Sequence, residues 1–439
     1  MKQTTKRWIG SLASLALGLA PQVAAAQGPT SSDDRPLTVE QAYELARARS
    51  PMLRAAGAIA DAAATREASA GLPPDPMLQV GIMNFSVPGF DTDMPTSMVP
   101  SVQAMQMLPW FGKLDLSERI AEQTTGMARA SSDETWWEVR SRTAMAFYMI
   151  YEADRQLAVM RETLGLLNDF EQVAKAMYSA GEGRQSDVLR AGVEVARMDA
   201  EIRRMEAMRT SAVARLNGIL DRPSGTPVPA LALSPLPLEV ASADTLRAWA
   251  EATRPMLERG RTGVAQARTR FDLARKVIWP DPVVGFQYGQ RGSNMGTERM
   301  GSAMIGFSIP IFARSRQLRM RDEAAAMEAM AQADLADMRA RVDARIGELL
   351  AELERTRTLV ELYRTEVLPQ ARANVESSFS SYRVGAVDFM TLVDAQMTVN
   401  AYDQELYGLL AEYGRSVAEL EMTIGRELPR SSQMLAEVR

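Results

Sequence analysis

The side chains in this sequence that could do chemistry form a narrow set: it holds 28 methionines and neither cysteine nor histidine. Met77, Met83, Met94, Met98, Met105 and Met107 crowd one short stretch. With thiolate and imidazole missing, thioether is the only soft ligand left, and thioethers favour Cu(I) or Ag(I). Met83, Met94, Met98, Met105 and Met107 are therefore candidate ligands along a transient soft-metal path. The plain alternative is that methionine, flexible and apolar, fills space there as it would at Met198, Met205 and Met208. Lack of histidine also removes the commonest general base, and with it every serine-histidine or histidine-zinc site. Gly112-Lys113 has no glycine five residues earlier, so it is not a phosphate-binding loop. No catalytic residue and no cofactor are expected; the chain does not read as an enzyme.

What must position such residues is a duplicated chain. Residues 178–220 recur in diverged form as residues 382–424, with ten identities at a constant offset of 204, among them Tyr178/Tyr382, Gly181/Gly385, Asp199/Asp403 and Leu216/Leu420. Each copy carries apolar residues seven apart: Val188, Val195, Ile202 and Leu216, then Leu392, Val399, Leu406 and Leu420. Such spacing is a coiled-coil seam.

Residues 1–26 read as a secretory signal peptide, with Lys2, Lys6 and Arg7 ahead of an apolar run and Ala24-Ala25-Ala26 at its end. Removing those three charges takes the formal net charge from −5 to −8. A mildly acidic protein of this kind is not expected to bind nucleic acid. Exported without cysteine, it has no disulfides and no cysteine-borne N-terminal lipid. Past the leader no apolar run approaches the roughly 18 residues of a membrane-spanning helix, which leaves a barrel open.

In order, residues 27–36 are polar and loose, and a first repeat spans residues 37–221. Thr38 and Gln41 form a capping box for a helix that Pro51 restarts and that ends near Ala70. From Met77 the period becomes two, with Leu78, Val80 and Ile82 on one side; a second alternating segment covers residues 101–108, making a hairpin at about residues 77–108. No proline occurs between Pro109 and Pro223. Residues 113–177 therefore predict one helix, and about 65 residues at roughly 1.5 Å each would reach nearly 100 Å. A glycine turn at Gly181 sends a heptad helix back over residues 186–220. Residues 222–243, with five prolines, form a linker. The second repeat, residues 244–428, predicts strands at 283–289 and 302–311 joined by a Gly-rich loop at 290–301. A long helix at 314–382, kinked by Pro369, and a return helix at 388–424 follow. Residues 429–439 read as a frayed tail.

Each repeat thus offers two strands and two long helices, so one chain supplies only four strands. In lipid such a sheet would leave two unpaired edges, and a membrane role requires several chains to close a barrel. Trp110, Phe111, Trp279 and Phe312 fall where strand meets helix, the place of an interfacial aromatic girdle or, more plainly, of aromatics packing at a junction.

Several of these residues together resemble the TolC-type outer-membrane efflux channel family over nearly the whole mature chain. The matching motifs are Leu37-Thr-Val-Glu-Gln-Ala42 before Ser50-Pro51, Leu108-Pro-Trp-Phe-Gly-Lys113, Val367-Leu-Pro-Gln-Ala371 and the two Tyr-x-x-Gly tips. The resemblance implies a mainly α fold with a small β part: long antiparallel coiled-coil helices forming a periplasmic tunnel, and four strands per protomer in a twelve-stranded barrel of a homotrimer. It also implies a location in the outer membrane of a Gram-negative bacterium, with a periplasmic membrane-fusion adaptor and an inner-membrane resistance-nodulation-division pump as partners. Within the family the chain looks most like the heavy-metal branch.

On the same resemblance the tips correspond to a periplasmic gate. Asp394 falls at an acidic ring position, Thr391 where a second ring aspartate is often found, and Val387 where some members have a gating arginine; Asp388 could add charge nearby. Gly181, Arg184, Gln185, Asp187, Tyr382, Arg383 and Gly385 are candidate tip or adaptor contacts. A solvated coiled-coil face is the alternative for Asp394, plain surface charge for Arg184, Gln185 and Asp187, and a turn that needs positive φ for Gly181 and Gly385. The implied function is a passive exit duct for heavy-metal cations such as copper or silver. A drug-efflux or type I secretion channel is the nearer rival, and a soluble periplasmic coiled-coil scaffold the more distant one.

Overall fold

The computed structural model describes residues 36–83, 87–89, 98–293, 296–429 and 434–435, all in one compact unit, Pro36–Arg439. The expected leader, the segment up to Arg35 and Met94 lie outside the described residues. The chain opens with α1 (Val39–Arg49) and α2 (Pro51–Ala70). Both halves of the Thr38/Gln41 capping box are made, and Pro51 takes the first turn of α2, where its missing N–H costs nothing. The corresponding pair in the second repeat is α5 (Ala243–Thr253), capped by the Ser242 side chain, and α6 (Pro255–Lys276), again opened by proline.

Between each short pair and each long helix lies a hairpin: β1 (Met77–Met83) with β2 (Met98–Met107), and β4 (Pro282–Ser293) with β5 (Gly296–Phe307). They join into one antiparallel sheet of order β1-β2-β4-β5, the two repeats meeting along β2 and β4. The second hairpin departs from the expected one. Its ladder runs on through Gln290↔Arg299, Arg291↔Glu298 and Gly292↔Thr297, across residues that read as a loop, and stops at Phe307 rather than Ile311. Glycine suppresses a period-two signal, yet backbone pairing needs no side chain.

α3 (Lys113–Ser179) and α4 (Gln185–Ile219) form the first long antiparallel pair. In the second repeat α7 (Gln317–Leu362) passes through a π turn, Tyr363–Val367, into α8 (Leu368–Arg383), and α9 (Phe389–Ile424) returns. The expected kink at Pro369 is thus resolved by a wider turn just ahead of the proline, which accommodates its missing N–H and its ring. A main core draws on α1, α3, α5, α7 and α9, including Phe147, Tyr148, Leu246, Ile346, Leu410 and Tyr413. A second core toward the tips gathers Leu157, Leu167, Phe170, Ile202, Phe389 and Leu392. Heptad positions of both repeats, Ile202, Leu216, Leu392 and Leu406 among them, are buried there and in the neighbouring clusters.

The proline-rich linker carries β3 (Leu236–Pro237), which pairs with β6 (Met434–Leu435). The tail therefore is not wholly frayed: its backbone closes on the linker, a pairing that a two-residue strand cannot announce in sequence.

Candidate functional site

The sheet has two chemically different faces. Along one, Leu78 and Val80 of β1, Val102 and Ala104 of β2, Phe286 and Tyr288 of β4, and Ala303 and Ile305 of β5 stand together by register. Ile305, Phe286 and Val80 are 66%, 58% and 69% exposed, an apolar surface that no element among the described residues covers. The other face holds two transverse rows, Met77–Met105–Gly285–Met304 and Gln79–Gln103–Gln287–Ser302. The outer edges of β1 and β5 have no partner strand among the described residues.

Where sheet meets helices, the repeats are locked to each other. Gly112 adopts φ 77°, a left-handed turn that starts α3. Lys113 Nζ then donates to the Trp279 carbonyl at 2.8 Å and to Asp281 Oδ1 at 2.7 Å, and the Trp110 N–H donates to the same carboxylate oxygen at 2.7 Å. The Trp110 and Trp279 rings stack at 5.9 Å, with Phe111 edge-on to Trp110 at 5.8 Å. Phe111, Trp279 and Phe312 are exposed, while Trp110 is half-buried. Three of the four expected girdle aromatics come together; Phe312 sits at the separate β5–α7 junction.

At the far end the two tip turns are made by Gly181 at φ 80° and Gly385 at φ 69°. Arg184, Gln185 and Arg383 are exposed, and Asp187 is half-buried. Tyr382 is a correction to the expected contact surface: it is 3% exposed, and its ring lies edge-on to Phe389 at 5.5 Å. Its hydroxyl, without a hydrogen-bond partner among the described residues, is pushed above its usual pKa by burial and then by the charge of Asp187. The tyrosine closes the core beneath the turn rather than presenting itself to a partner.

Two of the three gate candidates are bonded to each other. The Asp388 carboxylate accepts from the Thr391 N–H at 2.9 Å and the Thr391 hydroxyl at 2.8 Å, making it the N-cap of α9. Those bonds, together with the charges of Arg190 and Arg184, hold its carboxyl below the usual range. Asp394 stands apart. It lies on an exposed strip, Thr391, Asp394, Thr398, Ala401 and Glu405, spaced three and four apart, whereas Leu392, Val393, Ala395 and Gln396 beside it are buried.

Among the methionines, Met105 and Met83 do share the polar sheet face, and Met107 is exposed at the end of β2; the side chains of Met94 and Met98 lie outside the described residues. Met304 joins Met105 on that face by pairing across the sheet, a proximity that counting along the chain does not reveal. Arg190, whose charge reaches Asp388, was likewise missed because the tip turns had to be folded against each other before the two could meet.

A family model described as outer membrane efflux protein matches residues 42–221 and 246–426, one match per repeat. No curated protein sequence matches. Among solved structures, CusC is similar with TM-score 0.76 at 15% identity, over 88% of this chain and 92% of that one. The outer membrane protein VceC of Vibrio cholerae is similar with TM-score 0.75 at 14% identity, over 89% and 96%. The CmeC outer membrane channel of Campylobacter jejuni is similar with TM-score 0.75 at 13% identity, over 90% and 87%. At these identities the likeness is one of fold.

Proposed function

The chain belongs to the outer membrane efflux protein family, and we propose that it is the passive outer-membrane exit duct of a tripartite efflux system. The observation that carries this reading is the four-stranded sheet, apolar on one face, polar on the other and open at both edges, set on helices far longer than a globular core needs. Unpaired backbone groups in hydrocarbon cost several kcal/mol each, so such a sheet enters a bilayer only when its edges are closed. Three copies, edge to edge, would give twelve strands, with the apolar face toward lipid and the glutamine and methionine rows toward the lumen. Phe111, Trp279 and Phe312 would then anchor the barrel at the interface. The same exposed apolar face argues against a soluble coiled-coil scaffold, which would have no use for it.

In this reading the helices continue the barrel through the periplasm and the tips meet an adaptor that delivers cargo from an inner-membrane resistance-nodulation-division pump. Arg184, Gln185, Asp187 and Arg383 are the tip residues available for that contact. The duct binds no cofactor and breaks no bond; its residues act by shape and charge. The proposed cargo is heavy-metal cations, copper or silver first, supported by the methionines of the polar face. A drug-efflux or secretion channel would be built the same way. Retention in membranes after carbonate washing, and conductance in planar bilayers, test the duct; recovery in the soluble periplasm overturns it. Growth of a deletion strain on copper, silver, zinc, cobalt, cadmium and a drug panel tests the cargo: sensitivity to drugs alone would discard the metal assignment and keep the duct.

A further inference from the structure

We propose that the polar face of the sheet carries a binding site for a soft monovalent cation, Cu(I) or Ag(I), formed by the thioethers of Met105 and Met304 across Gly285, with Met77 next to Met105 in the same row and Met83 farther along the face. The inference rests on the duct reading only for the direction this face looks, toward the lumen.

Gly285 is what makes the site. Met105 and Met304 are its two cross-strand partners, one on each neighbouring strand. Neighbouring strands stand about 4.8 Å apart, so two residues flanking a third would be held roughly 10 Å apart, divided by the side chain between them. Glycine has none. A Cβ at position 285 would lie 2.8 Å from Met304 Cγ, 3.3 Å from Met304 Sδ and 3.4 Å from Met105 Cγ. Met304 therefore leans into the space that any other residue's Cβ would occupy, and Met105 comes to van der Waals distance of the same point.

The adjacent glutamine row orients the sulfurs. Gln103 Nε2 donates to Met304 Sδ at 3.2 Å, Gln79 Nε2 donates to Met77 Sδ at 3.4 Å, and Gln287 Nε2 donates to Met83 Sδ. Gln287 is 6% exposed, a fixed anchor rather than a mobile surface amide. A thioether that accepts one such bond keeps a second lone pair for a metal ion. Four thioethers therefore share one face with three amides that hold three of their sulfurs there.

The chemistry selects the ion. Neither row contains a carboxylate, and the sequence has no thiolate or imidazole, so Zn(II) finds none of its usual ligands and Mg(II) and Ca(II) find no anionic one. Neutral thioethers suit a soft monovalent ion and need no proton released. Binding by a few neutral ligands in an open lumen is also weak enough to let the ion leave, as conduction requires.

The test uses the full-length trimer in detergent with methyl-labelled methionine, titrated with silver nitrate in chloride-free buffer and followed by NMR and calorimetry. Wild type, M105L, M304L, G285A and a control, M327L on α7, are compared. The expected result is saturable Ag(I) binding that shifts the Met105 and Met304 methyls, weakened about tenfold or more in M304L and G285A and unchanged in M327L. Zn(II) should move neither methyl. Ag(I) that leaves both methyls unmoved in wild type, or binds M304L as tightly as wild type, overturns the site; the wild-type spectrum decides this even if a variant does not assemble. A trimer that conducts without binding silver removes this proposal and leaves the duct standing, whereas silver binding by a protein that washes off membranes does the reverse.

Discussion

Lys113 Nζ and Asp281 Oδ1 meet at 2.7 Å, tying the first turn of α3 in one repeat to the entry of β4 in the other. The ammonium sits at the N-terminal end of a helix, where the backbone dipole opposes it, so the carboxylate and the Trp279 carbonyl must hold it there. Their side chains are only 10% and 26% exposed. Replacing Asp281 by alanine strands that charge and frees the Trp110 N–H, and is expected to cost about 3 kcal/mol. Thermal melting of the detergent-solubilised protein checks it. Full stability in D281A would mean that the junction does not depend on this ion pair.

At Gly414, α9 comes close against the Tyr148 ring of α3. A Cβ on Gly414 would fall 2.3 Å from two atoms of the tyrosine ring, which is 2% exposed and itself packed edge-on against Phe147. Gly414→Ala is expected to destabilise by roughly 2–3 kcal/mol through overpacking. The double variant G414A/Y148L should recover part of that loss, because the clash and its relief share one pair of atoms. Additive losses in a double-mutant cycle would place the strain elsewhere.

The helices were legible in sequence and the sheet less so, for physical reasons. A proline-free stretch from Lys113 to Arg222, and heptad seams through Val195 and Val399, leave little alternative to long antiparallel helices. Gln290–Arg299 pairing is different: glycine-rich backbone pairs without leaving a periodic signature. The Met105–Met304 relation was hidden in the same way, since register across four strands depends on how two distant hairpins meet. At the tips, acidic and threonine side chains were visible as residues, but Asp388 and Thr391 turn out to satisfy each other, a local bond competing with any role in a ring. Tyr382 stands among the tip residues in sequence, but a tight turn must bury something beneath it, and this ring is what it buries.

Asp388 gives a pH prediction. Its folded carboxyl is depressed, first by the Thr391 side-chain hydrogen bond and then by the Thr391 N–H. A depressed acid contributes stability that is present above its unfolded value and lost as pH falls through the folded one. The first turn of α9 should therefore show firm amide protection at neutral pH and fray under acid below the usual carboxylate range. D388N, which can still cap, should keep protection at both and abolish the pH dependence; D388A should fray at both. Amide exchange at residues 389–391 reads this directly, and acid-insensitive protection in the wild type would contradict the cap.

Asp394 is left as the carboxylate with a direction to act in. It projects from the exposed strip of α9 that runs from Thr391 to Glu405, while its neighbours on the helix are buried in the tip core. If three copies close around an axis, that strip lines the narrow end of the duct and three Asp394 side chains converge, raising local cation concentration and repelling anions. D394N is then expected to weaken block by divalent cations and lower cation selectivity in single-channel records. D388N should do neither, because that carboxylate is already held within its own turn. Records for D394N indistinguishable from wild type across a range of divalent concentrations would remove Asp394 from the constriction and leave α9 as a plain wall.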